Sequence, residues 1–158
     1  MNKPIWLEVA EKEIGQKEIK GGENSRILEY HATTTLKATE DEVPWCASFV
    51  NWCFTKVGIK GTNSALAKSW LFWGVEITSP TLGCVCIIRQ KVKQEDSATG
   101  TRTGYHVGFW LAEKDNRVHI LGGNQSDQVK MSSFGLSTYE IKGYRLPYLD
   151  LHIMHKGA

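Results

Sequence analysis

Apolar and polar positions along this 158-residue chain change period near the middle, helical before Gly74 and strand-like after Gly83. Ile5, Trp6, Val9 and Ala10 fall on one helical face, so the stretch from Pro4 to Ile14 predicts an amphipathic helix, with Pro4 early and Gly15 as its stop. Gly21-Gly22 makes a turn, after which Asn24 or Ser25 caps a second short helix through Ile27, Leu28 and Tyr30. The Thr-rich stretch from His31 to Glu42 reads as a loop, with Asp41 and Glu42 as a solvated rim. Pro44 keeps Val43 extended, so the next helix begins only after it, and Phe49, Val50, Cys53, Phe54 and Val57 carry it to Gly58. A fourth helix, capped by Asn63 or Ser64, contains Ala65 to Leu71 and ends at Gly74. Four strands follow, Cys84–Ile88, Tyr105–Leu111, Arg117–Leu121 and Thr138–Ile141, with Lys91 to Thr103 as a hairpin loop. Helices first and strands after predict an α+β fold, N-terminal helices packed on a C-terminal antiparallel sheet, in one domain spanning residues 1–158.

Composition narrows the function classes. A hydrophobic content of 41%, a charged content of 23% and a net charge of +2 describe an ordinary globule, without the basic stripe that nucleic acid requires. No apolar run approaches the length of a membrane span, which argues against membrane insertion. Glu8 and Glu11 interrupt the start where a secretory signal needs an apolar core, so no signal peptide is expected. Four cysteines lack the density of a disulfide scaffold and the spacing of a zinc site, so free thiols and no metal or cofactor are expected.

Two residue types then stand out. Cys46 falls in the first turn of its helix, where unpaired backbone N–H groups and the helix dipole favour a thiolate, which predicts a lowered pKa. His106 opens an otherwise apolar strand, and Gly108 leaves space there for a neighbouring backbone or a substrate. An imidazole facing that thiol can act as general base, and a third group must hold the ring. Asn124, after Leu121-Gly122-Gly123, offers a side-chain oxygen for that purpose. Of the six tryptophans most read as core, with one or two lining a groove. Cys53, Cys84 and Cys86 read as packing, and His31, His119, His152 and His155 as surface or edge residues.

Pro44-Trp45-Cys46-Ala47-Ser48-Phe49-Val50, Ala67-Lys68-Ser69-Trp70 with Trp73-Gly74, His106-Val107-Gly108-Phe109, Leu121-Gly122-Gly123-Asn124-Gln125 and Gly143-Tyr144-Arg145-Leu146-Pro147 occur in that order. In this the chain resembles the NlpC-type and CHAP superfamily of bacterial and phage cell-wall cysteine hydrolases. The resemblance implies a papain-like fold and cleavage of a peptidoglycan amide, in the stem peptide or its glycan linkage. It further implies Cys46 as nucleophile, His106 as base, Asn124 as the residue orienting the histidine, and no cofactor. Trp45 and Tyr105 flank the cysteine and histidine as candidate substrate-side residues, with Gln125 secondary. The pattern departs from the family at Gly83-Cys84, where relatives often carry Gly-Asp, and at Tyr105, which replaces a small residue. Such an enzyme acts on the wall after delivery, as a phage lysin or as an injected effector, and an effector implies an immunity protein as partner. The alternatives are a catalytically silent wall-binding module, or a cysteine amidase or acyltransferase on a non-wall substrate.

Overall fold

The computed structural model describes residues 3–35, 44–92, 98–99 and 103–148. Asp41, Glu42, most of the 91–103 loop, His152 and His155 lie outside them. Three short helices come first: α1 (Ile5–Lys12), α2 (Ser25–His31) and α3 (Cys46–Lys56). α1 stops two residues short of the expected Ile14. Asn24 caps α2, its side chain accepting from the Arg26 N–H. In place of the fourth α-helix there is a 3₁₀ helix, Ala67–Phe72. No helix among the described residues is long and apolar enough to cross a membrane.

The expected α+β, papain-like arrangement is overturned. A six-stranded antiparallel sheet dominates: β1 (Val75–Ile77), β2 (Val85–Gln90), β3 (Tyr105–Lys114), β4 (Arg117–Gln125), β5 (Gln128–Gly135) and β6 (Tyr139–Leu146), in the order β1-β6-β2-β3-β4-β5. The fold is β-rich for three reasons. β3 and β4 extend beyond their expected ends, to Lys114 and Gln125. β1 and β5 were not expected at all. The sheet also builds a core of its own.

That last point follows from chain length. Only Leu136–Thr138 join β5 to β6, a reach of about 14 Å between the strand ends. Four strand spacings of a flat sheet would separate the two strands by roughly 19 Å. The sheet therefore curls, and the rings of Phe134 on β5 and Tyr139 on β6 meet at 5.2 Å. Inside the curl lie Cys86, Ile88, Val118, Ile120, Phe134 and Tyr139. Alternation sends Val85, Ile87, Val107, Phe109 and Leu121 to the outer face, where the helices cover them. There Phe109 meets Phe49 at 6.4 Å and Phe54 at 5.8 Å, and Trp6 of α1 packs on Phe54 while donating from Nε1 to the Gly83 carbonyl at 2.7 Å.

Candidate active site

Cys46 is the first residue of α3, because Trp45, with φ −130° and ψ 18°, already stands outside the helix. Trp45 is fully buried, stacked on Tyr30 at 5.8 Å and donating from Nε1 to Glu18 Oε1 at 2.7 Å. It anchors the start of α3 in the core and presents no exposed face, unlike the substrate-side residue expected. Cys46 is 3% exposed. Burial pushes its thiol up to about 11, and the backbone N–H groups of Val107, Ala47 and Cys46 itself pull it down by less. The resting sulfur is thus a thiol near neutral pH, which corrects the expectation of a lowered pKa: desolvation outweighs the helix terminus.

The Val107 N–H that turns to this sulfur lies one residue beyond His106. β3 and β4 pair from Lys114↔Arg117 to Phe109↔Leu121, with a register shift between Trp110 and Ala112. The sulfur accepts from the Val107 N–H near the start of β3. His106 sits on the concave side, fully buried, with its ring 5.4 Å from that of Phe134. The thiol thus meets the residue that follows the imidazole in β3. Gly108 serves this packing: a Cβ there would strike Ile120 and come 3.0 Å from the Leu121 carbonyl, so its space is filled by β4.

The partner of the histidine is Gln125. Its Oε1 lies 3.0 Å from His106 Nε2. Its Nε2 donates to the Ile120 carbonyl at 3.1 Å and to the Lys130 carbonyl at 2.7 Å. Because two carbonyls claim the NH₂ group, the amide has one orientation, and its oxygen must face the ring. His106 Nε2 then carries the hydrogen and donates it. In the neutral ring the lone pair resides on Nδ1, the atom that can accept a proton.

Asn124, the first candidate for this role, does not reach the ring. The β4–β5 register shifts between Gly122 and Gln125, and Asn124 occupies that irregularity with a left-handed φ of 57°. The shift brings Gln125 round to the side of Gly122: a Cβ built on Gly122 would meet Gln125 Oε1 at 2.5 Å and His106 Nε2 at 3.5 Å. A Cβ on Gly123 would meet Trp45 and Phe49 at 2.7 Å on the helix side. Asn124 is buried, and its Oδ1 has no hydrogen-bond partner among the described residues.

Tyr105 is half-buried, lies under the Arg89 guanidinium (5.6 Å to the ring centroid) and lines a cavity of about 310 Å³. His31 was expected at the surface but is fully buried, with Nδ1 3.1 Å from Ser48 Oγ on α3. No hydrophobic pattern marked that polar pair, because its two members lie on different helices, α2 and α3. His119 is half-exposed on β4. Cys53, Cys84 and Cys86 are buried and free, and no group of three or more His, Cys, Asp or Glu among the described residues is placed to hold a metal ion. Comparison with known families finds no model that matches this chain, and comparison with curated proteins finds no match either. The chemistry of these side chains and the order of the motifs therefore carry the functional reading.

Proposed function

We propose that the protein is a cysteine hydrolase of peptidoglycan amides, with Cys46 as nucleophile, His106 as base and Gln125 as the residue that sets the histidine's tautomer. The pinned Gln125 amide carries this reading, since it leaves the proton-accepting lone pair on Nδ1. The ordered motifs shared with NlpC-type and CHAP hydrolases supply the substrate class. Because the resting thiol is protonated, His106 Nδ1 takes its proton as sulfur attacks the carbonyl carbon. The S–C bond forms, backbone N–H groups at the start of α3 stabilise the oxyanion, and the C–N bond breaks as the imidazolium protonates the departing amine. Water, deprotonated by the same ring, then releases the acyl group and restores the thiol.

Cys46→Ala is expected to abolish lysis of purified walls while leaving the circular dichroism spectrum unchanged; undiminished lysis rejects the mechanism. Mass spectrometry of fragments from defined peptidoglycan identifies the bond. The near-complete burial of Cys46 favours one second reading, a silent module that binds walls without cutting them. Wall binding without released fragments by the wild-type protein would establish that reading instead.

A further inference from the structure

One acidic side chain outside the proposed reacting groups is tied to the segments that carry them. After α1 the chain runs antiparallel to the start of β5: the Gly15 N–H donates to the Val129 carbonyl at 3.0 Å, the Val129 N–H to the Gln16 carbonyl at 2.8 Å, and the Glu18 N–H to the Asp127 carbonyl at 2.9 Å. This ladder places Glu18 against the Ser126-Asp127 turn, which directly follows Gln125. Both turn residues have left-handed φ, 53° and 63°, the tight hairpin geometry that fixes register. Lys17 is exposed and Glu18 half-buried, as alternation along an extended segment requires.

The side chain reaches in the other direction. Glu18 Oε1 accepts from Trp45 Nε1 at 2.7 Å, the short length of a charge-assisted bond. The Trp45 carbonyl accepts from the Phe49 N–H at 3.0 Å at the start of α3, and the next residue is Cys46. Its ring also bears on β4, since a Cβ on Gly123, two residues before Gln125, would meet it at 2.7 Å. An indole N–H can only donate, so without Glu18 a fully buried Trp45 loses this hydrogen bond or turns its ring and moves the start of α3. Glu18 thus holds the turn after Gln125 with its main chain and the residue before Cys46 with its side chain.

The geometry points to Glu18 as a positioning residue that fixes Cys46 relative to the His106–Gln125 pair, an assignment that rests on the hydrolase reading above. It is tested on the full chain with Glu18→Ala, which removes the acceptor, and Glu18→Gln, which keeps an oxygen at the same reach. Two quantities are measured: kcat and KM on defined muropeptides, and iodoacetamide labelling of each of the four buried thiols, resolved by peptide mapping. In Glu18→Ala, kcat is expected to fall about tenfold with KM little changed, because a displaced nucleophile costs rate more than binding. Cys46 is expected to label about tenfold faster as the start of α3 loosens, while Cys53, Cys84 and Cys86 keep their wild-type rates. Glu18→Gln is expected to bring both quantities back near the wild-type values. Equal acceleration of all four thiols means that Glu18 supports global stability alone and overturns the assignment. Unchanged Cys46 labelling in Glu18→Ala, or a Glu18→Gln protein as impaired as Glu18→Ala, overturns it too. Should Glu18→Ala not fold, Glu18→Asp, which draws the acceptor back by one methylene, carries the same comparison. Selective acceleration of Cys46 without any hydrolysis by the wild-type protein overturns the hydrolase reading alone and leaves Glu18 as the anchor of the Cys46 segment.

Discussion

Gln125 decides what His106 can do, because its amide is held by two main-chain carbonyls and cannot turn to offer its NH₂ to the ring. Gln125→Leu keeps the bulk but leaves a buried imidazole N–H without its acceptor, and it removes the preference for the Nε2–H tautomer. Hydrolysis of defined muropeptides should fall about 10²-fold in kcat, at the low end of what a positioned base contributes. Asn124→Gly, which tolerates the left-handed backbone at least as well, should retain most activity. An equal loss in the two variants would remove the distinction drawn between them. Cys46 gives a second prediction at this scale. With its thiol pushed up to about 11 by burial, alkylation by iodoacetamide, followed by peptide mapping, should be slow at pH 7 and accelerate towards pH 10. Fast labelling at pH 6 would instead point to a preformed thiolate.

At the scale of elements, the irregularity between Gly122 and Gln125 joins the sheet to the site. Gly123→Ala drives a methyl group against Trp45 and Phe49, both fully buried, and should cost about 1–3 kcal/mol in urea unfolding. Gly122→Ala meets a side-chain oxygen instead, so its main effect should fall on kcat through displacement of Gln125, with the smaller change in stability. These two glycines also show where the sequence stops being informative. The Cys46 helix was legible because Pro44 and a run of apolar residues mark it, and His106 was legible as one polar residue in an apolar strand. The choice between Asn124 and Gln125 was not, because a one-residue register shift reverses which of them faces the ring and leaves no periodic trace. β5 was missed for a related reason. Its fully buried side chains, Val129 and Phe134, stand five apart and do not alternate, yet its Lys130 carbonyl helps to fix Gln125.

At the scale of the whole molecule, local periodicity carried no sign that the sheet would curl and close over a second core, which is why helices and strands in order suggested an α+β layering that the structure does not have. The curl and the helix layer together bury all four thiols. Burial pushes Cys46 and Cys84 up to about 11, and Cys53 and Cys86 well above the usual thiol range; Glu13 adds to the shift of Cys53, as Cys84 and Glu113 do for Cys86. Each thiol is therefore held neutral in the folded chain at a pH where the unfolded chain ionises it, from about 8.5 upward. Above that pH the unfolded state binds fewer protons than the folded one, so stability falls as pH rises. The thiols' contribution is fully present below about pH 8 and is lost progressively as pH climbs towards 11. Urea midpoints should thus stay level from pH 7 to 8 with respect to these groups and drop between pH 9 and 10.5 under reducing conditions. Cys86→Ala should start about 1 kcal/mol less stable, for the lost packing, and then decline less steeply. A parallel decline in the two proteins would mean that the sulfur inside the curl is not what alkali attacks.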